Sequence, residues 1–137
     1  MSAFVLDCSI TLAWCFEDEA TPQTDALLER LRDEGALVPG LWHLEVGNAL
    51  LQAERRGRIA TARVAAFVEL LTGLPIETDA ESASRALREV LGLARAEKLT
   101  TYDSSYLELA GRRALPLATR DQALHRAAQR IGVPLLP

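Results

Sequence analysis

Four acidic side chains occupy positions suited to chemistry as well as to solubility. Asp7 closes the short apolar run AFVL, Ala3 to Leu6. Asp103 and Asp121 lie eighteen residues apart in LTTYDSSYLELAGRRALPLATRDQALHRAA, each two positions after a threonine and at the start of a run with helical apolar spacing. Glu45 falls inside another helical run, with Leu41, Leu44 and Ala49 around it and Asn48 three positions on along the same face. Singly, each has an ordinary role. Asp7, Asp103 and Asp121 suit helix starts, where a carboxylate caps backbone N–H groups or faces the helix dipole, and Glu45 could be a partly exposed helical acid. A glutamate on an apolar stripe is nevertheless costly to bury without a partner. If the four meet, they repel one another and must take up protons or cations. Oxygen ligands alone suit a hard ion such as Mg²⁺ or Mn²⁺. Held by few carboxylates, such an ion keeps positions open for water and a substrate phosphate, the arrangement of metal-assisted phosphodiester hydrolysis.

The intervening elements decide whether they meet. AFVL reads as a buried strand, followed by a short helix over Ser9–Phe16. Thr21-Pro22 starts a helix that Gly35 ends, and ALVP from Ala36 is a second strand. Leu41–Arg56, with Leu41, Leu44, Asn48 and Leu51 at its period, is a helix stopped by Gly57. A helix from Thr61 to Gly73 is expected to form part of a helical hairpin, with Ala60–Leu71 clipped onto the sheet, and LPIET is a third strand. Asp79–Lys98 reads as one long helix with Thr78 and Glu81 as a capping box. A helix over Thr101–Arg113, the strand LPLA, a helix over Asp121–Arg130 and a final strand VPLL complete the chain. Short apolar strands alternating with helices imply an α/β fold, a parallel sheet covered on both faces. Ligands of such sheets bind beyond the carboxyl ends of the strands. Asp7 and Asp121 fall on that edge, and the helix bearing Asp103 can reach it.

The chain has 137 residues, the length of a single domain spanning 1–137. Only 5 % are aromatic, so the core is built mainly of Leu, Ala and Val. The net charge of −4 argues against gripping nucleic acid by bulk electrostatics and leaves local or metal-mediated contact. Cys8 and Cys15 lack metal-ligand spacing and read as buried thiols. No leader or membrane-spanning run is visible, and a cytoplasmic location is expected. His43 and His125 read as structural or exposed, and Trp14 and Trp42 as core or dimer-face residues.

FVLDCSI, LEVGNALL, TTYDSSYLELA and LATRDQALHRAA, in this order and with this spacing, resemble the four signature segments of PIN-domain ribonucleases, most of all the VapC-like toxins of bacterial toxin–antitoxin pairs. The resemblance covers nearly the whole chain. It implies a three-layer α/β/α fold with a five-stranded, mostly parallel sheet and a helical hairpin. It implies that Asp7, Glu45, Asp103 and Asp121 form the catalytic quartet, with Asp7, Asp103 and Asp121 holding Mg²⁺ or Mn²⁺ and Ser9, Asn48 and Thr119 as polar support. The implied reaction is endonucleolytic hydrolysis of RNA by metal-activated water, leaving a 5′-phosphate and a 3′-hydroxyl. A cognate antitoxin and a homodimer are the implied partners, the dimer being suggested also by apolar residues near Trp14 and Phe16. Two alternatives stand beside this. One is a PIN-like binding domain with little activity. The other is an unrelated phosphotransfer fold, a receiver or a phosphatase, although Asp7-Cys8-Ser9 offers one acid and Lys98 is the only lysine.

Overall fold

The computed structural model describes residues 2–137. Strands β1 (Phe4–Leu6), β2 (Ala36–Val38), β3 (Ile76–Thr78), β4 (Leu117–Ala118) and β5 (Leu135–Leu136) form one sheet in the order β3-β2-β1-β4-β5. All four pairings are parallel, so the sheet expected to be mostly parallel is wholly so among the described residues. β1, β2 and β4 are buried throughout. Their unbroken apolar sequences follow, because a parallel sheet covered on both faces has no solvent side to alternate toward.

Helices α1 (Cys8–Cys15), α2 (Pro22–Glu34), α3 (Leu41–Arg55) and α4 (Thr61–Thr72) pack among themselves, with α3 and α4 forming the hairpin. On α2, Thr21 and Thr24 exchange side-chain-to-backbone bonds of 3.1 and 3.0 Å at the start, and Gly35 ends the helix at a φ of 79°. A second group comprises α5 (Ser82–Arg85), a π turn (Ala86–Val90), α6 (Leu91–Glu97), α7 (Thr101–Arg113) and α8 (Gln122–Ile131). The chain leaves β1 toward β2 and leaves β4 toward β5, in opposite directions across the sheet. A crevice therefore opens between the carboxyl ends of β1 and β4, the switch point at which open α/β sheets bind ligands.

Two expectations are corrected. The buried face of α3 is Trp42, Val46, Leu50 and Ala53, whereas Leu44 is 80 % exposed and Leu51 is also exposed. Both sets recur at a helical period. Packing against α1 selects the set containing Trp42, whose indole N–H donates to the Thr11 hydroxyl at 3.0 Å. Glu45 thus lies at the margin of the buried face. The long helix expected over Asp79–Lys98 starts three residues later, at Ser82, and runs without interruption to Glu97 through α5, the π turn and α6. Asp79 N–H donates to the Val38 carbonyl at 2.8 Å, which holds the chain extended past β3. Its buried carboxylate accepts from Arg112 at 2.7 Å and Ser82 at 2.9 Å, and Glu81 turns to Arg112 rather than back to Thr78, so no capping box forms.

Candidate active site

Asp7 is the first residue beyond β1, and its N–H still donates to the Ala118 carbonyl of β4 at 3.1 Å. That bond ties together the two strand ends flanking the crevice. The Asp7 side chain is buried, and its Oδ2 accepts from the hydroxyls of Ser9 at 2.8 Å and Thr119 at 2.6 Å. Each hydroxyl accepts in turn: Ser9 Oγ from Arg120 N–H at 2.9 Å and Thr119 Oγ1 from Asp121 N–H at 3.0 Å. Asp121 Oδ2 accepts from Leu124 N–H at 2.8 Å and caps α8. One chain of hydrogen bonds therefore fixes the end of β1, the start of α1, the end of β4 and the start of α8. Burial raises the proton affinity of Asp7, and the hydroxyl bonds only partly offset this.

The other two acids come from α7 and α3. Thr100 caps α7 by accepting from Asp103 N–H at 3.0 Å, so the Asp103 carboxylate is not needed as the cap. Burial, then the charges of Asp121 and Asp7, push its pKa up to about 6. Glu45 Oε1 accepts from the Tyr106 hydroxyl at 2.5 Å. Burial raises the Glu45 carboxyl as well, with Asp7 and Asp103 adding to the rise and the Tyr106 bond opposing it. Tyr106 is fully buried and is the residue that reading the acids alone overlooks. The signal was present: it stands three positions after Asp103 in TYDSSY, on the same helical face. Cys8 lies beside the acids as a thiol whose pKa is pushed up to about 12 by burial, then by Asp7 and Glu45, which leaves it a poor nucleophile at neutral pH. Asn48 is exposed and makes no hydrogen bond to this group.

The PIN domain family model matches residues 4–130, a span that contains all four acids. The chain belongs to the PIN domain family. Membership removes the receiver and phosphatase alternatives. The domain is similar to PAE2754 from Pyrobaculum aerophilum, at 25 % identity and a TM-score of 0.72, covering 98 % of this chain and 90 % of that one. Its fold is also similar to that of FitAcB from Neisseria gonorrhoeae, at 19 % identity and a TM-score of 0.51, covering 98 % and 96 % of the two chains. No curated protein matches it.

Across this PIN domain, arginines pair freely with acids; Arg112 alone reaches Asp79, Glu81 and Glu108. Among the described residues, none of Asp7, Glu45, Asp103 and Asp121 has a basic partner within ion-pair distance. Nor do any three His, Cys, Asp or Glu side chains among them converge closely enough to form a metal cluster. Asp121 is held to its helix and Glu45 to Tyr106, so the acids share a field without meeting at a point. The donor set still fits a hard divalent cation, because Mg²⁺ is ordinarily bound by one or two carboxylates and keeps several waters.

Proposed function

We propose that this PIN domain is an endoribonuclease dependent on Mg²⁺ or Mn²⁺, and that it is the toxin of a toxin–antitoxin pair. The observation that carries the nuclease reading is a buried carboxylate, Asp7, surrounded by the charges of three further acids with no basic side chain to neutralise them. PIN domains are typically metal-dependent nucleases, which agrees with it. Asp7, Asp103 and Asp121 would hold the ion. When bound, the ion supplies Lewis acidity toward the phosphate and the attacking water. Ser9 and Thr119 hold Asp7 in one orientation. Glu45, positioned by Tyr106 and with raised proton affinity, takes the proton of the attacking water. Cleavage leaves a 5′-phosphate and a 3′-hydroxyl. Asn48 has no part in this assignment.

The toxin role, the antitoxin and the homodimer rest on the resemblance of the four signature segments to VapC-like proteins. Phe16 is buried and Trp14 half-buried, with its indole N–H bound to the Thr24 carbonyl at 2.7 Å. Leu44, Leu51, Val68 and Leu70 on the α3–α4 hairpin are the exposed apolar residues a protein partner would cover.

The test is cleavage of RNA by purified protein with Mg²⁺ or Mn²⁺, stopped by chelator. Asp7→Asn should lose most activity while keeping the fold, and equal cleavage by variant and wild type would overturn the assignment. Expression without an antitoxin should slow bacterial growth in the wild type and not in Asp7→Asn.

A further inference from the structure

The chain is acidic as a whole, yet one face beside the carboxylate site is basic. Helix α8 buries Leu124, Ala127 and Ala128. Its outer side carries Arg126 and Arg130, four positions apart, and Arg120 stands just before Asp121 at its start. Two adjoining hollows follow this side. One, of 340 Å³, is lined by Arg120 and Arg126. The other, of 410 Å³, is lined by Arg126, Arg130 and Lys98 across from α6, with Glu97 as its one acid. Arg126 belongs to both and joins them into a single run. It is exposed and, among the described residues, has no ion pair or hydrogen bond, whereas Arg120 is held by the Glu19 carbonyl at 2.9 Å and carboxylate at 3.7 Å, and Arg130 by Glu97 at 2.8 Å. Arg126 and Arg130 are separated by about 6 Å along the helix axis, a spacing at which two cations address neighbouring phosphates.

We propose that this run, Arg120, Arg126, Arg130 and Lys98, is a binding track for the phosphate backbone of single-stranded RNA leading away from the carboxylate site. The class of ligand rests on the nuclease reading above. An all-carboxylate centre repels a polyanion, so a substrate strand needs cations close by, and α8 supplies them from the residue adjoining Asp121 onward. Contacts of this kind position a strand without reading its sequence. They also make binding salt-dependent, with a slope of about 0.7 in log K against log salt for each phosphate neutralised on a single strand.

The test is fluorescence anisotropy of a labelled mixed-sequence 12-nucleotide RNA with full-length protein in EDTA, titrated between 50 and 200 mM salt. Arg126→Ala should lower the slope by about 0.7, so that its deficit against wild type shrinks about 2.6-fold across that range. Arg126→Ala with Arg130→Ala should lower the slope by about 1.4. Arg32→Ala, on α2, should leave it unchanged. Slopes that are equal in all the proteins would overturn the track, as would absence of RNA binding by the wild type, or a glutamate-rich peptide outcompeting the RNA at these residues. Cleavage with Mg²⁺ or Mn²⁺ is measured separately. Active protein whose RNA affinity ignores Arg126 refutes the track and leaves the nuclease reading standing. Inactive protein with Arg126-dependent RNA binding supports the track and refutes the nuclease reading.

Discussion

Asp103 shows how position changes what a common residue does. A carboxylate in the first turn of a helix ordinarily ionises readily, because the helix dipole favours its charge. Here burial and the charges of Asp121 and Asp7 prevail, and the pKa rises from 3.8 to about 6. A carboxyl with a raised folded-state pKa contributes stability below the unfolded value and loses it as pH climbs through the folded one. Without metal, therefore, the protein loses this contribution between pH 3.8 and about 6. Asp103→Asn should melt about 1–3 °C above wild type at pH 7.5 in EDTA, with the gap closing toward pH 5. Asp25→Asn, on the exposed face of α2, should show no such gap. Thermal melts at the two pH values check this; a destabilised Asp103→Asn at pH 7.5 would make Asp103 a structural residue. Tyr106 invites a second measurement. Tyr106→Phe keeps the ring that fills the core and removes the donor to Glu45. Cleavage should fall about tenfold, the worth of one hydrogen bond to a charged group, with the shape of the pH–rate profile altered. An unchanged rate and profile would leave Tyr106 a packing residue only.

At the scale of elements, the start of α8 carries two duties. Asp121 caps the helix through Leu124 N–H, and its backbone N–H is bound by the same Thr119 that holds Asp7. Substitutions can separate capping from charge. Asp121→Asn retains a capping oxygen and should change stability little while cutting metal-dependent cleavage. Asp121→Ala removes the cap as well and should cost about 1 kcal/mol in addition. Urea denaturation alongside cleavage assays distinguishes the two; equal activity in wild type and Asp121→Asn would confine Asp121 to capping. The late start of the helix after β3 makes the opposite point. There an apolar period continues through Asp79–Lys98, but a buried carboxylate paired with Arg112 outweighs local helical preference and keeps the chain extended for another residue.

For the whole molecule, the acids are supplied by four separate parts of the chain and are held together only by the complete sheet. Their mutual repulsion is a cost borne in the folded state alone, since the unfolded chain spreads them apart. A cation bound at the site removes that cost and adds its own linkage, ~2.7 kcal/mol when the free ion is at 100 times its dissociation constant. Mg²⁺ or Mn²⁺ should therefore raise the melting temperature of the wild type, and Asp7→Asn should lose most of the increase. A metal-induced shift equal in the two proteins would place the ion elsewhere.

The sequence by itself determined a great deal. Asp7 at a strand end and Asp121 after the fourth strand were legible because a parallel α/β order sends both to one edge. The wholly apolar strands, the Thr21-Pro22 start and the Gly35 stop were legible because they depend on local sterics and on hydrogen bonds a few residues apart. Four matters were decided only by tertiary structure. The choice of the Trp42 face over the Leu44 face of α3 needed α1 as a partner, because two stripes of equal period differ only in what they pack against. That choice set Glu45 at the margin and left Asn48 exposed. The Tyr106–Glu45 bond joins residues sixty-one positions apart, beyond the reach of any local pattern. The start of the next helix beyond Asp79 depended on Arg112, thirty-three residues further on. Finally, the basic face of α8 became visible once the fold showed which arginines line the same hollows. Net charge sums over the surface and hides such a face, whereas electrostatic recognition acts over the short distances that only folding establishes.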